Sequence, residues 1–174
     1  MDVFEAIQNR RSIRKYKKQA LPEDAVDKLI EAARLAPSAG NVQPYAIVIV
    51  KQESLRHQLS MAALGQKDVA EAPVVLVVCA NEKWAKESYG ERGKTLYCLQ
   101  DTAAAVQNIL LMATALGLGT CWIGAFKEKD VKKVVNAPDE MRPVALVPIG
   151  YPDESPAPRS RRAASELVYL ESFK

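Results

Sequence analysis

The chain has 174 residues, of which 48% are hydrophobic and 26% charged, and its formal net charge is +3 at pH 7. These are the proportions of a globular protein with one packed core, so we expect a single domain over residues 1–174. No apolar stretch reaches the roughly 18 residues that a membrane span needs, which excludes a transmembrane protein. Acidic Asp2 and Glu5 stand where a secretion signal has basic residues, so we expect a cytoplasmic protein.

The cysteine and histidine content limits which disulfide, metal and catalytic sites the chain is able to form. Cys79, Cys98 and Cys121 are odd in number and lie in apolar sequence without a Cys-x-x-Cys motif, which predicts buried thiols. His57 is the only histidine, which excludes a metal site built from several imidazoles. A Ser-His-Asp triad would have to use His57. The polar residues around His57 predict that this side chain lies on the surface instead.

The first half of the chain predicts three helices, one strand and a basic extended segment. The apolar residues of the second helix follow the i, i+3, i+4, i+7 rule, and Pro22 and Pro37 mark its ends. In chain order we predict a helix at 2–9, an extended segment at 10–18, the helix from Pro22, a loop at 37–41, a strand at 45–50, a helix from Ser54 to about Leu64 and a polar turn at 65–68.

The second half predicts buried strands and one long helix. Residues 74–79 form a continuous β-branched run, expected of a strand covered on both faces. The helix from about Thr95 to Leu116 is apolar nearly all round in its second half, so we infer a subunit interface there. Helices and strands alternate without βαβ periodicity, which predicts an α+β or mixed α/β class. The remaining elements are a helix end at 117–119, a short strand or loop at 120–126, a helix at 130–135, a buried strand at 144–150 and a final edge strand at 166–171.

Two clusters of positive charge suggest an anion site. Arg10, Ser12 and Arg14 alternate, so in an extended chain they point the same way, two cations flanking a hydroxyl. Arg159 and Arg161 repeat this spacing, and together the pairs are able to clamp one phosphate with charge-assisted bonds. Ordinary surface charge is an equally weighted alternative. Outside the two clusters the chain is net acidic, which favours a discrete anion site over a nucleic-acid face.

The glycines that follow the predicted long helix are a second feature that bears on ligand binding. Gly117-Leu118-Gly119 follows a helix and lacks the third glycine of a dinucleotide fingerprint, so we reject a Rossmann fold and interpret the pair as a helix end and turn. Gly124, close to Trp122, allows either a close approach of the backbone to a flat ligand or an ordinary turn.

Taken together, these motifs resemble the FMN-dependent nitroreductase family. The more specific match is APSAGNVQPY at 36–45, preceded by RRSIRKY at 10–16. The resemblance extends over essentially the whole chain and implies a three-layer α-β-α sandwich with a central mixed, mainly antiparallel sheet, in an intertwined homodimer. Further segments similar in order and spacing are AP at 72–73, GLGTCWIG at 117–124, PIGYP at 148–152 and RSR at 159–161.

The same resemblance implies a set of cofactor-binding residues. It implies no metal and no catalytic side-chain base, because N5 of FMN carries the hydride. The implied contacts are Arg10, Ser12, Arg159 and Arg161 at the FMN phosphate, with Arg11 and Arg14 nearby; Pro37, Ser38, Ala39 and Asn41 from the partner subunit; Gln66 or Lys67 at the pyrimidine end; and backbone near Ile123, Gly124 and Ala125 at N5.

The implied activity is an FMN-dependent oxidoreductase with a two-step shuttle. NADH or NADPH reduces FMN, and a nitroaromatic, quinone or related small acceptor then takes the electrons; Arg14 or Lys67 would stabilise the reduced flavin. Three alternatives stay open: a specialised branch performing reductive dehalogenation or flavin chemistry, a non-catalytic flavin-binding protein, and a nucleic-acid-binding protein that uses residues 10–18 as a basic arm. The segment at 81–94 is short for the family, and its Trp84 and Tyr89 either line a substrate pocket or are surface aromatics.

Overall fold

The structure is a computed structural model that describes residues 1–173. Within those residues seven α-helices and four strands follow one another along the chain, with short helical turns at Ala39–Asn41, Gly93–Tyr97 and Ala164–Glu166. The elements are α1 (Val3–Asn9), α2 (Ala25–Arg34), β1 (Tyr45–Val50), α3 (Glu53–Ala62), α4 (Lys67–Glu71), β2 (Val74–Asn81), α5 (Glu82–Arg92), α6 (Cys98–Ala115), β3 (Gly119–Thr120), α7 (Glu128–Val134) and β4 (Met141–Gly150).

The four strands form one sheet in the order β1-β2-β4-β3, and all three pairings are antiparallel. A single bridge between Ser12 and Thr120 is parallel. Every residue of β2 is buried, which confirms the prediction that this β-branched run is covered on both faces.

Alternate residues of β2 supply the two hydrophobic cores. Leu76 and Val78 pack with residues of α2 and α6 on one face of the sheet. Val75 and Val77 point to the opposite face, where they pack with residues of α3, α4 and α7. Helices therefore cover both faces of an antiparallel sheet, which confirms the predicted three-layer α+β arrangement.

Helix α6 is only partly enclosed by its own chain. Ile109 is fully buried against the sheet, but Leu111 and Met112 are half-buried and line an apolar groove of about 350 Å³ together with Val3 and Leu35. The predicted burial on every side is thus incomplete within one chain. No helix among residues 1–173 is long and apolar enough to cross a membrane.

Several sequence predictions differ from the structure. Residues 67–71 form helix α4, whereas a polar turn was predicted at 65–68. The helical conformation buries Val69 completely in the core beneath α3. Helix α2 begins at Ala25, three residues after Pro22. The predicted edge strand at 166–171 is wrong: the segment follows the turn Ala164–Glu166, and Leu170 is 89% exposed. A short run of apolar residues forms a strand only where another strand is available to pair with it.

Candidate functional site

The basic segment after α1 lies along the edge of the sheet, as its extended pattern predicts. The Ile13 amide donates to the Thr120 carbonyl at 2.9 Å, and the Lys17 amide donates to the Tyr151 carbonyl at 2.9 Å. Between them Tyr16 is buried, and its hydroxyl lies 2.6 Å from the Ile13 carbonyl and 3.3 Å from that of Pro148. Ile13 and Tyr16 point inward, whereas Ser12, Arg14 and Lys15 are exposed.

Gly150, the last residue of β4, makes room for this packing. A methyl group on Gly150 would lie 2.8 Å from Tyr16 Cδ1 and 2.9 Å from Pro73 Cδ, closer than side-chain contacts allow. The glycine is therefore required by the close approach of the tyrosine ring to the strand end.

The two arginine clusters are brought together by pairing between their flanking segments. The Arg14 amide donates to a Glu154 carboxylate oxygen at 2.6 Å, and the Asp153 amide donates to the Lys15 carbonyl at 2.9 Å. The chain leaving β4 consequently runs beside the basic segment, and residues 156–161 continue over the same surface.

These segments enclose a basic cleft of about 760 Å³. None of its five arginines forms an ion pair with a carboxylate within residues 1–173. Guanidinium groups without carboxylate partners, beside one hydroxyl, are the donor set that a phosphate dianion requires, so the residues present fit a phosphorylated ligand. The cleft is lined by Ile7, Gln8, Arg10, Arg11, Ser12, Arg14, Pro156, Ala157, Pro158, Arg159 and Arg161.

A second group of predicted residues lies where α4 meets the loop after β3. Gln66 donates from Nε2 to the Ala125 carbonyl at 3.0 Å and to the Ala63 carbonyl at 2.9 Å. Ile123 is buried and exchanges backbone hydrogen bonds with Leu146 at 2.9 and 3.0 Å. Gly124 is exposed and a Cβ there would meet no atom within 4 Å. The neighbouring Lys67 is also exposed.

Two buried titratable groups, Asp68 and Cys121, are influenced by the charge of Arg14, and sequence reasoning did not identify Asp68. Asp68 is 6% exposed, and its Oδ2 has no hydrogen-bond partner within the described residues. Burial raises the pKa of the Asp68 carboxyl, and the positive charge of Arg14 is among the groups that oppose the shift. Burial likewise raises the pKa of the Cys121 thiol, and the positive charge of Arg14 opposes that shift. Arg14 lines the cleft, and its positive charge opposes the rise in the pKa of both buried groups.

The third group, Pro37, Ser38, Ala39 and Asn41, lies in a separate loop. In the part of the chain that the structure describes, these residues do not line the basic cleft. Their loop is held instead by α6, because the Ala39 amide donates to Asp101 Oδ1 at 3.1 Å. Asp101 is a second buried carboxyl that sequence reasoning missed; the available signal was an acidic residue on the stripe shared with Ala105 and Ile109.

The remaining sequence predictions have simple outcomes. His57 lies on the surface of α3 near Glu53, as predicted. All three cysteines are buried and free, as predicted. Gly117 follows the end of α6 and the chain turns there, which confirms its interpretation as a helix end. Among residues 1–173 no group of three or more histidine, cysteine or acidic side chains is arranged to hold a metal ion.

Fold and site together define a three-layer α+β protein with an arginine-lined cleft at one sheet edge. The model of the nitroreductase family matches residues 7–71 and 54–151. An NADH dehydrogenase of Thermus thermophilus is 31% identical over 195 aligned residues, covering 97% of this chain and 95% of that protein. The chain therefore belongs to the nitroreductase family, which confirms the resemblance seen in its motifs.

Other relatives extend the comparison. An FMN reductase (NADPH) of Bacillus subtilis is 28% identical, covering 98% of this chain and 74% of its own length. The solved structure of an NADPH:FMN oxidoreductase from Vibrio harveyi, in complex with NAD+, superimposes with a TM-score of 0.91 at 26% identity, covering 99% of this chain and 78% of that one. The structure of B. megaterium NfrA2 also superimposes with a TM-score of 0.91, at 27% identity, covering all of this chain and 76% of the other.

Proposed function

We propose that this protein is an FMN-dependent NAD(P)H oxidoreductase that passes electrons to a nitroaromatic, a quinone or a related small acceptor. The observation that carries the proposal is the cleft in which five arginines without ion-pair partners in the described chain surround Ser12. Family membership and the FMN reductases among the relatives support FMN as its ligand. When bound, FMN supplies the hydride-transfer chemistry.

Each group of residues has a distinct task in this proposal. Arg10, Ser12, Arg159 and Arg161 hold the phosphate, with Arg11 and Arg14 adding positive charge at the same cleft. Gln66 and Lys67 stand at the pyrimidine end of the ring, where Lys67 and Arg14 favour negative charge. Backbone at Ile123 and Gly124 lies against the ring where hydride transfer takes place, since Gly124 has no side chain to keep a flat ligand away.

The loop carrying Pro37, Ser38, Ala39 and Asn41 completes the site of a second copy of the chain. Its separation from the basic cleft of its own chain supports this assignment. Exposed apolar side chains also favour a homodimer: Phe4 is 66% exposed, and the C-terminal Leu170 and Phe173 are 89% and 90% exposed. Three free buried cysteines suit a reducing compartment such as the cytoplasm.

The test is a titration of the flavin-free protein with FMN, followed by anaerobic addition of NADH or NADPH. Wild-type protein should bind FMN, and the visible flavin absorption should bleach when the nicotinamide is added. Arg161→Ala should weaken FMN binding by about 10-fold or more, because a charge-assisted bond to phosphate is lost.

Arg162→Ala is the matched control, because Arg162 belongs to the same basic cluster but does not line the cleft. It should change the FMN dissociation constant by less than about twofold. Equal losses in both variants would mean that general positive charge, not a built phosphate site, attracts the ligand. Protein that binds FMN but leaves it oxidised with both nicotinamides would be a flavin-binding protein without this activity.

A further inference from the structure

The loop at 38–43 has an unusual backbone. Gly40, Asn41 and Gln43 have φ values of 53°, 57° and 52°, in the left-handed region. For residues other than glycine this conformation is costly and persists only where the surroundings hold it. The loop therefore needs anchors beyond its own sequence.

Part of the anchoring is local. The Gln43 amide donates to Ser38 Oγ at 3.0 Å, and Gln43 Nε2 donates to the carbonyl and the side-chain oxygen of Asn41 at 3.2 Å. On the outer side Tyr89 of α5 lies against Gly40, where a Cβ would overlap its hydroxyl group. These contacts define the shape of the loop but do not tie it to the core.

The tie to the core is Asp101. Its Oδ1 accepts the Ala39 amide at 3.1 Å from the first turns of α6, the helix that packs against the sheet. Asp101 is 7% exposed, and its Oδ2 has no hydrogen-bond partner among residues 1–173. A buried carboxyl satisfied on one oxygen costs stability compared with an apolar residue. Folding stability alone therefore does not account for a carboxyl at this position on an apolar helix face.

We infer that Asp101 is a positioning residue for cofactor binding: it holds the Ala39 amide so that the loop at 38–43 keeps the shape that completes the site in the neighbouring subunit. This inference rests on the proposed function of that loop. Asp101 does not line the basic cleft, and its hydrogen bond to a predicted site residue is the one to Ala39. Its effect on the cofactor passes through the backbone of the loop.

The experiment compares three full-length variants by FMN titration and thermal unfolding. Asp101→Leu removes the acceptor and should weaken FMN binding by about tenfold, while the unfolding temperature stays equal or rises because a buried carboxyl is gone. Asp101→Asn retains an acceptor oxygen for the Ala39 amide and should restore most of the affinity. Thr102→Val is the control: it removes a buried hydroxyl that bonds to the Cys98 carbonyl on the same helix, without reaching the loop.

Ala39→Pro tests the same bond from its other end and covers the case in which Asp101→Leu does not fold. Ser38 already has an extended backbone, φ −144° and ψ 154°, which suits the residue before a proline. Removing the Ala39 N–H should reproduce the loss seen in Asp101→Leu. Wild-type affinity in both variants, or an equal loss in Thr102→Val, would overturn the inference. Failure of the wild-type protein to bind FMN would instead overturn the proposed function.

Discussion

The amide of Arg14 and the carboxylate of Glu154 are 2.6 Å apart, joining segments that are separated by 140 positions in the chain. Glu154 lies beside the basic segment at 10–18. Its carboxylate nevertheless accepts a hydrogen bond from the backbone of Arg14, and within residues 1–173 it forms no ion pair with a guanidinium group. Together with the bridge between Tyr16 and Pro152, this bond brings the residues after β4 alongside residues 10–17. The basic cleft depends on this alignment.

Replacing Glu154 should therefore weaken anion binding even though it removes a negative charge. We expect Glu154→Ala to raise the FMN dissociation constant by about three- to tenfold, because the loss of one charge-assisted bond misaligns the two arginine segments. Titration calorimetry with FMN measures the effect.

Asp153→Ala is the matched control for this variant. Asp153 joins the same pairing through its backbone amide, so the substitution removes a charge and leaves the alignment intact. Its FMN affinity should be equal or slightly higher. If Glu154→Ala also binds FMN more tightly, charge outweighs alignment and the bond to Arg14 has no organising role.

Gly150→Ala should destabilise the protein and disturb the cleft together. The added methyl group meets Tyr16 and Pro73 inside van der Waals distance, and overpacking of this kind costs about 1–3 kcal/mol. Urea unfolding should show the loss in the free energy of unfolding. Gly124→Ala, placed where a Cβ meets nothing within 4 Å, should leave that free energy within about 0.5 kcal/mol of wild type.

The three cysteines should be unreactive in the native protein. All are buried, and burial raises the pKa of the Cys79 thiol to about 11, so almost no thiolate forms there at neutral pH. A thiol-specific reagent at pH 8 should detect no cysteine in the folded chain and all three after unfolding in guanidinium. Rapid labelling of one thiol before unfolding would show that its burial is transient.

Asp68 should make stability depend on pH in a definite direction. Burial raises the pKa of its carboxyl above the ordinary value of an aspartate, so the folded protein binds this proton more tightly than the unfolded chain. The energetic cost of the buried charge is present at pH values above the pKa of Asp68 in the folded protein. It is relieved as the pH falls through that pKa toward the ordinary pKa of an aspartate in the unfolded chain.

The comparison that isolates this effect is wild type against Asp68→Asn. The free energy of unfolding of wild type, relative to the variant, should increase as the pH falls through that window. Denaturant unfolding at a series of pH values measures the difference. A difference that is constant with pH would mean that Asp68 titrates alike in the folded and unfolded states.

Local pattern was sufficient for much of the fold. The β-branched run of β2 and the periodic apolar residues of α2 predict their elements, because each pattern matches one backbone period and one mode of burial. The strand predicted at 45–50 has the bounds of β1. Helix α4 was not predictable in this way: its five residues carry too short a pattern, and burial of Val69 beneath α3 decides its conformation.

The residue types of the candidate site can be identified from the order of the amino acids, as can the alternation that points Arg10, Ser12 and Arg14 the same way in an extended chain. The position of residues 156–161 opposite them could not be predicted in this way, because it follows from hydrogen bonds between segments that are distant in the chain. The same holds for the burial of Asp68 and Asp101 and for the bond that joins Asp101 to the Ala39 amide. Such long-range relations are set by how helices and strands pack, and no local period along the chain encodes them.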